Sequence, residues 1–176
     1  MLKQLVSMIV IAGMIAASVG WLAPRANLGA ADQGARPVPA ATQEPLTDTL
    51  AGGRVAIDKS PDGHFRTEAR LNNARVTLLI DTGASLLALR ESDARRAGLR
   101  PSRDDYRWQV DTAGGIVEAA RMPVRELRIG TVRLRNVEAF ILPDDALSSN
   151  LLGMNVLSQF GEVTLSADRL VLDPRG

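Results

Sequence analysis

From residue 54 onward, the chain carries short runs in which apolar and polar side chains alternate. In residues 64–71 the odd positions are apolar or small and the even positions are polar, a period of two that is typical of a half-buried β-strand. Asn72-Asn73 is a turn signal between this run and residues 75–80. Comparable runs follow at residues 124–129, 132–141, 162–166 and 169–172. Many short strands separated by turns predict a small, mostly antiparallel β-barrel.

Two helical segments and one long hairpin interrupt this strand pattern. Residues 91–97 have the composition of a short helix that ends at a glycine, and a second short helix is predicted near residues 155–159. Residues 107–121 are predicted to form a hairpin with Gly114 and Gly115 at its tip, because glycine adopts the positive φ angles of a tight turn. We therefore expect a mostly β fold with one or two short helices.

Residues 5–23 form an uncharged apolar run near the N-terminus. About 20 such residues are needed for a helix to cross a bilayer, so we expect residues 1–23 to be an uncleaved, single-pass transmembrane helix. A cleaved signal peptide is the alternative, because Ser18 and Gly20 are small residues at the two positions that a signal peptidase reads. Both alternatives predict export across the inner (plasma) membrane.

Residues 24–50 contain proline among small and polar residues, with no apolar periodicity. This composition predicts a disordered, Pro-rich linker, and a removable propeptide is the alternative. Residues 51–176 then form one folded domain, a normal length for a single compact unit. After export, we expect this domain on the periplasmic or extracytoplasmic side of the membrane.

The chain of 176 residues has 21 Lys and Arg against 20 Asp and Glu, which gives a formal net charge of +1. Charges balanced in this way produce no basic surface field, so nucleic acid is not expected as a partner. The chain has no cysteine, which excludes disulfides, thiol nucleophiles and thiolate metal sites. Its one histidine, His64, has no second imidazole with which to form a zinc site. We therefore predict neither a metal nor a cofactor.

Residues 78–85 have the sequence LLIDTGAS, which places an aspartate at the end of an apolar strand and a turn of small residues directly after it. A rigid β-strand fixes the carboxylate of Asp81, and Gly83 lets the backbone turn where a Cβ would clash. The hydroxyls of Thr82 and Ser85 can hydrogen-bond the turn and the carboxylate. The alternative is an ordinary hairpin turn with the same residues, since Asp and Gly are common in turns.

A second motif lies some seventy residues downstream, where residues 150–157 have the sequence NLLGMNVL. Two leucines followed by Gly153 predict a buried strand whose end permits the close approach of another backbone segment. By itself this motif also fits an ordinary strand that runs into a short helix. The order and separation of the two motifs together make the pattern specific.

The two motifs resemble those of the retropepsin-like aspartic peptidases, most closely the single-domain bacterial enzymes that carry an N-terminal membrane segment. The resemblance covers residues 50–173 and implies the single-lobe acid-protease fold, a small closed antiparallel β-barrel. It implies a catalytic role for Asp81, support of the active-site loop by Thr82, Gly83 and Ser85, and substrate binding by small and apolar residues: Ala84, Leu151, Leu152, Gly153, Gly114 and Gly115.

The hairpin over residues 107–121 contains a second Asp-Thr sequence. Asp111-Thr112-Ala113 resembles the catalytic tripeptide, but it lacks the glycine in third place and an apolar strand before it. In the resembling family such a hairpin is a flap that closes over the substrate and excludes water. We therefore predict that this tripeptide lies at the tip of a flap, and an inert surface hairpin is the alternative.

Aspartic catalysis uses two carboxylates about 3 Å apart that share one proton, because like charges this close cannot both ionise. The chain offers one Asp-Thr-Gly motif, so we predict a symmetric homodimer with Asp81 of each subunit at the two-fold axis. Such a dimer would be an aspartic endopeptidase, a hydrolase that cleaves polypeptides with a water activated by the paired carboxylates. The alternative is a catalytically silent, exported β-barrel that binds a peptide or a protein.

Overall fold

The computed structural model describes residues 47–174. In this range the chain forms eleven β-strands and two short α-helices. The strands are β1 (Thr47–Thr49), β2 (Val55–Asp58), β3 (Arg66–Leu71), β4 (Ala74–Ile80), β5 (Leu87–Arg90), β6 (Tyr106–Thr112), β7 (Gly115–Ile129), β8 (Val132–Leu142), β9 (Asn150–Leu152), β10 (Glu162–Leu165) and β11 (Arg169–Asp173). The helices are α1 (Glu91–Arg96) and α2 (Met154–Leu157).

The predicted membrane anchor, residues 1–23, lies outside the described residues. Within residues 47–174, no helix has the length and apolar character that are needed to span a membrane. Most of the predicted linker also lies outside the described residues, but its last part does not. Thr47–Thr49 pair with residues 55–57 of β2, so the folded part begins earlier than the predicted boundary at residue 51.

The strands form two sheets. The smaller sheet has the order β1-β2-β11-β10, and the larger has the order β3-β4-β9-β5-β8-β7-β6, with a further short pairing between β3 and β7. Two pairs in the larger sheet, β4 with β9 and β5 with β8, are parallel. The prediction of a mostly β fold with short helices is confirmed. The structure differs from the predicted single antiparallel barrel in two respects, since the strands form two sheets and the larger sheet is mixed.

One of the two parallel pairs, β4 with β9, follows from the insertion of β9 between β4 and β5. Parallel neighbours need a long crossover connection, and β9 reaches β4 only after the chain has formed the four strands β5 to β8. Alternation of apolar and polar residues predicts that a strand forms, but it carries no information on which distant strand becomes its neighbour. The sequence pattern therefore predicted these strands without predicting their pairing.

Burial in β3 and β4 follows the predicted alternation. Thr67, Ala69 and Leu71 of β3 are buried, as are Val76 and Leu78 of β4. Ala69 lies opposite Val76 and Thr67 lies opposite Leu78, so both strands present one face to the main core. Each fully buried Leu side chain contributes about 1.5–3 kcal/mol through the hydrophobic effect. This core holds β4 rigid up to its last residue.

The strand β5 was not predicted, because it has no alternation. Leu87, Ala88 and Leu89 are all buried, since β5 lies between β8 and β9 inside the larger sheet. A strand covered on both faces has a continuous apolar sequence. Such a run, seen in the sequence alone, has no period that separates strand from helix.

A second apolar cluster, separate from the main core, joins the β6–β7 hairpin to the segment after β4. We call it the flap cluster, and it consists of Ala84, Ala88, Val110, Ala119, Phe140, Leu142, Leu147 and Leu151. Ala84 belongs to the predicted catalytic loop and Val110 to the predicted flap. The two parts of the candidate site are therefore packed against each other through apolar side chains.

Candidate active site

Asp81 is the first residue after β4, and its backbone and side chain are both held in place. Its amide N–H donates to the carbonyl oxygen of Leu152 at 3.1 Å, and its Oδ1 accepts the N–H of Gly83 at 2.8 Å. Ala84 donates its N–H to the Asp81 carbonyl at 3.3 Å. Asp81 is half-buried, whereas Thr82 and Gly83 are exposed. The loop therefore presents a fixed carboxylate behind an exposed turn.

Gly153 allows β9 and α2 to approach this loop at a distance that no other residue permits. A Cβ at this position would lie 2.3 Å from the Leu86 carbonyl oxygen and 2.8 Å from that of Ala84. The φ angle of Gly153 is −87°, which any residue adopts, so glycine is required here for space alone. The next amide, that of Met154, donates to the Ala84 carbonyl at 2.7 Å. The predicted close backbone approach is therefore observed in the structure.

Asn155 ties the loop to two strands, a role that the sequence did not predict. Its Oδ1 accepts the N–H of Leu87 at 2.8 Å, and its Nδ2 donates to the Glu138 carbonyl at 2.8 Å. Its backbone N–H also donates to the Ser85 carbonyl at 3.1 Å. One side chain thus links α2 to the start of β5 and to β8. An amide inside the otherwise apolar run after Gly153 was the signal that could have identified it.

Asn150 has a comparable role on the other side of the Leu-Leu-Gly motif and was also not predicted. Its Oδ1 accepts the N–H of Arg90 at 2.9 Å, and its Nδ2 donates to Asp93 Oδ2 at 2.7 Å. Asn150 and Asp93 are both buried, so these hydrogen bonds satisfy polar groups that are largely removed from water. They fix the register of β9 against β5 and α1.

Four of the residues predicted to bind substrate lie in the interior of the protein. Ala84 is 1% exposed and Leu151 is 5% exposed, both in the flap cluster, while Leu152 is 0% exposed and packs in the main core. Gly153 is buried beneath the loop. Leu151 and Leu152 are buried because both faces of β9 are covered, and Ala84 packs into the interior from the loop itself. Direct substrate contact by them stays a prediction that the described surface does not favour.

The predicted flap is a β6–β7 hairpin with a two-residue tip, Ala113-Gly114. Thr112 pairs with Gly115, and the Thr112 hydroxyl donates to the Gly115 carbonyl at 2.7 Å and accepts the Gly114 N–H at 3.2 Å. Gly115 has a φ of 111°, whereas Gly114 has no positive φ. The prediction that both glycines adopt positive φ is therefore wrong for Gly114. The tip is exposed, and Ile116 beside it is 68% exposed.

The base of this hairpin is held more firmly than its tip. Val110 and Ala119 are buried in the flap cluster, and the Trp108 ring packs 6.4 Å from that of Phe140, centroid to centroid. The Arg121 guanidinium lies 5.2 Å above the Trp108 ring. Burial, with the nearby Glu91 carboxylate, raises the pKa of Tyr106 at the start of β6 to about 12. The hairpin therefore has an anchored base and an exposed end.

A family model described as gag-polyprotein putative aspartyl protease matches residues 67–159. The chain is 35% identical over 127 residues to the "uncharacterized protein in cobV 5′ region" of Sinorhizobium sp, which covers 72% of this chain and 54% of that protein. It is 33% identical over 121 residues to an uncharacterized protein of Rickettsia prowazekii (strain Madrid E), with 69% and 52% coverage. The chain spans about half the length of these curated relatives.

Two solved protease structures are similar to this protein in fold. A retropepsin-like aspartic protease from Rickettsia conorii superposes with a TM-score of 0.60 and 30% identity, covering 68% of this chain and 90% of that one. The EIAV protease in complex with the inhibitor HBY-793 superposes with a TM-score of 0.50 over 61% of this chain and 97% of that one. Its identity of 19% makes this second likeness one of fold alone. The resemblance to the retropepsin-like aspartic peptidases that was inferred from the two sequence motifs is confirmed.

Proposed function

Because the chain belongs to the gag-polyprotein aspartyl protease family, of the retropepsin-like type, we propose that it is an aspartic endopeptidase that works as a homodimer. The observation that carries this proposal is the presentation of Asp81. Its carboxylate follows a rigid strand, is oriented by the Gly83 N–H, and lies behind the exposed residues Thr82 and Gly83.

The exposed turn supports the dimeric form of the proposal. One protomer supplies one carboxylate of this kind, and the chemistry needs two that share a proton. A second copy that docks on the exposed turn places a second Asp81 across a two-fold axis. The ionised carboxylate then accepts a proton from water as the water attacks the scissile carbonyl carbon. The protonated carboxylate donates to the carbonyl oxygen, and no covalent intermediate with the protein forms.

Substrate binding in this proposal uses the space between the Asp81 loop and the β6–β7 hairpin. The anchored base of the hairpin is compatible with a fixed hinge, and its exposed tip with closure over an extended polypeptide. Gly114, Gly115 and the exposed Ile116 then cover the substrate, while Ala84 and Leu151 support the site from beneath.

Membrane anchoring through residues 1–23, with the folded part on the periplasmic side, remains part of this proposal and needs its own test by fractionation of cells.

A mixing experiment tests the paired-carboxylate proposal. The full-length wild-type protein is held at a concentration where all of it is dimeric, and its cleavage of an unfolded protein substrate is measured. Asp81→Asn protein is then added. Random exchange of subunits predicts that activity falls to about one half at equal amounts and to about one tenth at a ninefold excess. Sedimentation verifies that the variant still dimerises. Activity that stays constant while mixed dimers form would refute the two-fold site, and a wild-type dimer that binds peptides without cleaving them would favour the silent binding module.

A further inference from the structure

A polar cavity of about 310 Å³ lies beside β4, and we call it the arginine cavity. It is lined by Arg66, Thr77, Leu79, Arg90, Asp93, Arg96, Ser148, Ser149 and Asn150. Three arginines and one aspartate line it, while the carboxylates that ion-pair with Arg66 and Arg90, those of Asp62 and Asp144, lie outside the lining. The cavity wall therefore presents more guanidinium groups than carboxylates, although each guanidinium has an acidic partner.

The position of the arginine cavity relates it to the candidate active site. Leu79 lines the cavity and lies two residues before Asp81, a separation of about 7 Å along an extended backbone. Asn150, which forms another part of the wall, is directly followed by Leu151 of the flap cluster. An extended substrate advances about 3.3 Å per residue. A side chain within a few residues of the scissile bond thus reaches this cavity.

The only acidic group that lines the cavity is already neutralised by the protein. Asp93 is 8% exposed, accepts a hydrogen bond from Asn150 Nδ2 at 2.7 Å, and forms an ion pair with Arg96. Its charge is thus balanced by Arg96 and does not offset the other two guanidinium groups. Arg66 and Arg90 are likewise ion-paired, with Asp62 and Asp144 outside the lining, so the preference of the cavity depends on which guanidinium N–H groups have no hydrogen-bond partner.

Of these two arginines, Arg90 has unused hydrogen-bonding capacity. Arg66 donates to Asp62 at 2.8 Å and holds the pKa of that carboxyl at about 2. Arg90 Nε forms an ion pair with Asp144 Oδ1 at 3.8 Å, which is beyond hydrogen-bonding distance, and that oxygen accepts the N–H of Ser92 at 3.0 Å. Arg90 Nε is buried and has no hydrogen-bond partner among the described residues. A buried donor without a partner is costly, and Arg90 lines the cavity, so an acceptor bound beside its guanidinium would offset this cost.

We propose that the arginine cavity binds an acidic side chain of the polypeptide substrate, an inference that rests on the proposed peptidase function. A carboxylate accepts two hydrogen bonds from a guanidinium in a bidentate arrangement, and Arg90 provides the unpartnered N–H. The Ser148 and Ser149 hydroxyls at the cavity wall are further donors. The substrate is favoured over a free anion because the cavity shares β4 with the catalytic aspartate. The cavity thereby selects Asp or Glu near the scissile bond.

Matched peptides test this inference. A peptide that the full-length protein cleaves is taken from a random library, and Glu or Gln is placed in turn at each position on either side of the scissile bond. We expect one position at which kcat/KM is about tenfold higher for Glu than for Gln, as charge-assisted hydrogen bonds imply. Arg90→Gln and, independently, Arg66→Gln should bring this ratio close to one. Arg125→Gln, an exposed arginine of β7 outside the cavity, should retain the ratio.

Binding to the Asp81→Asn protein separates this inference from the proposed function. If no peptide is cleaved but Glu peptides bind more tightly than Gln peptides, and Arg90→Gln in the Asp81→Asn background removes the difference, the cavity selects acidic residues although the peptidase proposal fails. Cleavage without a Glu preference, or with a preference that survives both arginine substitutions, overturns the inference and leaves the peptidase proposal intact. Neither cleavage nor binding of any peptide contradicts both. A change in Gln-peptide cleavage on adding glutarate would assign the cavity to a free anion and also overturn the inference.

Discussion

Two regions of this protein carry nearly the same tripeptide in different surroundings. Asp81-Thr82-Gly83 follows the buried strand β4, whereas Asp111-Thr112-Ala113 lies at the end of the exposed β6–β7 hairpin. The first is held by a backbone hydrogen bond that Asp81 donates to Leu152 of β9, next to one that Met154 donates to Ala84, and both partners lie some seventy residues away. The second is closed by the Thr112 hydroxyl and its neighbours within the same turn. The local sequence is similar, and the long-range contacts are what differ.

This difference shows what turns a common turn sequence into a candidate catalytic loop. The Asp81 loop needs a rigid strand before it and a second backbone segment packed against it, which Gly153 makes possible. The hairpin tip lacks such a second segment, since no atom outside the turn lies within 4 Å of a Cβ added at Gly114 or Gly115, and the Thr112 hydroxyl closes its turn. We therefore predict that substitutions at Gly153 and Asn155, which hold the second segment against the Asp81 loop, lower stability strongly. Substitutions at the hairpin tip should have small effects on stability.

The largest effect is expected for Gly153→Ala. The new Cβ meets the backbone of Leu86 at 2.3 Å, and a backbone atom cannot move aside as the end of a side chain does. We expect a loss of at least about 3 kcal/mol in the free energy of unfolding, at the upper end of the cost of overpacking, measured by urea denaturation. Gly114→Ala is the matched control, because its nearest atom lies at 3.7 Å without a positive φ. Equal stability of the two variants would contradict the requirement for close backbone packing at Gly153.

A smaller effect is expected for Asn155→Ala. The substitution removes the hydrogen bonds of the Asn155 side chain to the Leu87 N–H and the Glu138 carbonyl. We expect the free energy of unfolding to fall by about 1–3 kcal/mol. Asn155→Asp should fall between wild type and alanine, because it keeps the acceptor for Leu87 and loses the donor to Glu138. Gln159→Ala, an exposed residue of the following turn, should change stability by less than about 0.5 kcal/mol. An Asn155→Ala protein as stable as this control would show that the amide is dispensable.

The smallest effect is expected at the tip, for Gly115→Ala. A φ of 111° is unfavourable for alanine, and we expect a loss of about 1 kcal/mol, since no atom lies within 4 Å of the new Cβ. Hydrogen exchange of amides in residues 110–117 should become faster while that of β4 stays unchanged. Faster exchange in β4 as well would show that the tip and the Asp81 loop are coupled rather than independent.

Local sequence was sufficient for the parts of the site that local geometry determines. The strand ending at Asp81, the turn at Gly83 and the tight spacing at Gly153 each follow from residue types within a few positions. The roles of Asn155 and Asn150 did not follow, because their side chains bond to residues 68 and 60 positions away. The parallel pairing of β4 with β9 was missed for the same reason. Alternation predicts which residues are buried, but it does not predict which distant segment covers them.

The central claim, that the Asp81 loop and not its near-copy is the catalytic site, is tested most directly by comparing Asp81→Asn with Asp111→Asn. Both substitutions change a carboxylate to an amide of nearly equal volume, and thermal melting verifies that both proteins are folded. In cleavage of an unfolded protein by the full-length chain, we predict that Asp81→Asn lowers kcat by at least about 10³-fold, since it removes the shared-proton chemistry, while Asp111→Asn stays within about threefold of wild type. Wild-type turnover by the Asp81→Asn protein, or an equal loss in both variants, would contradict the account.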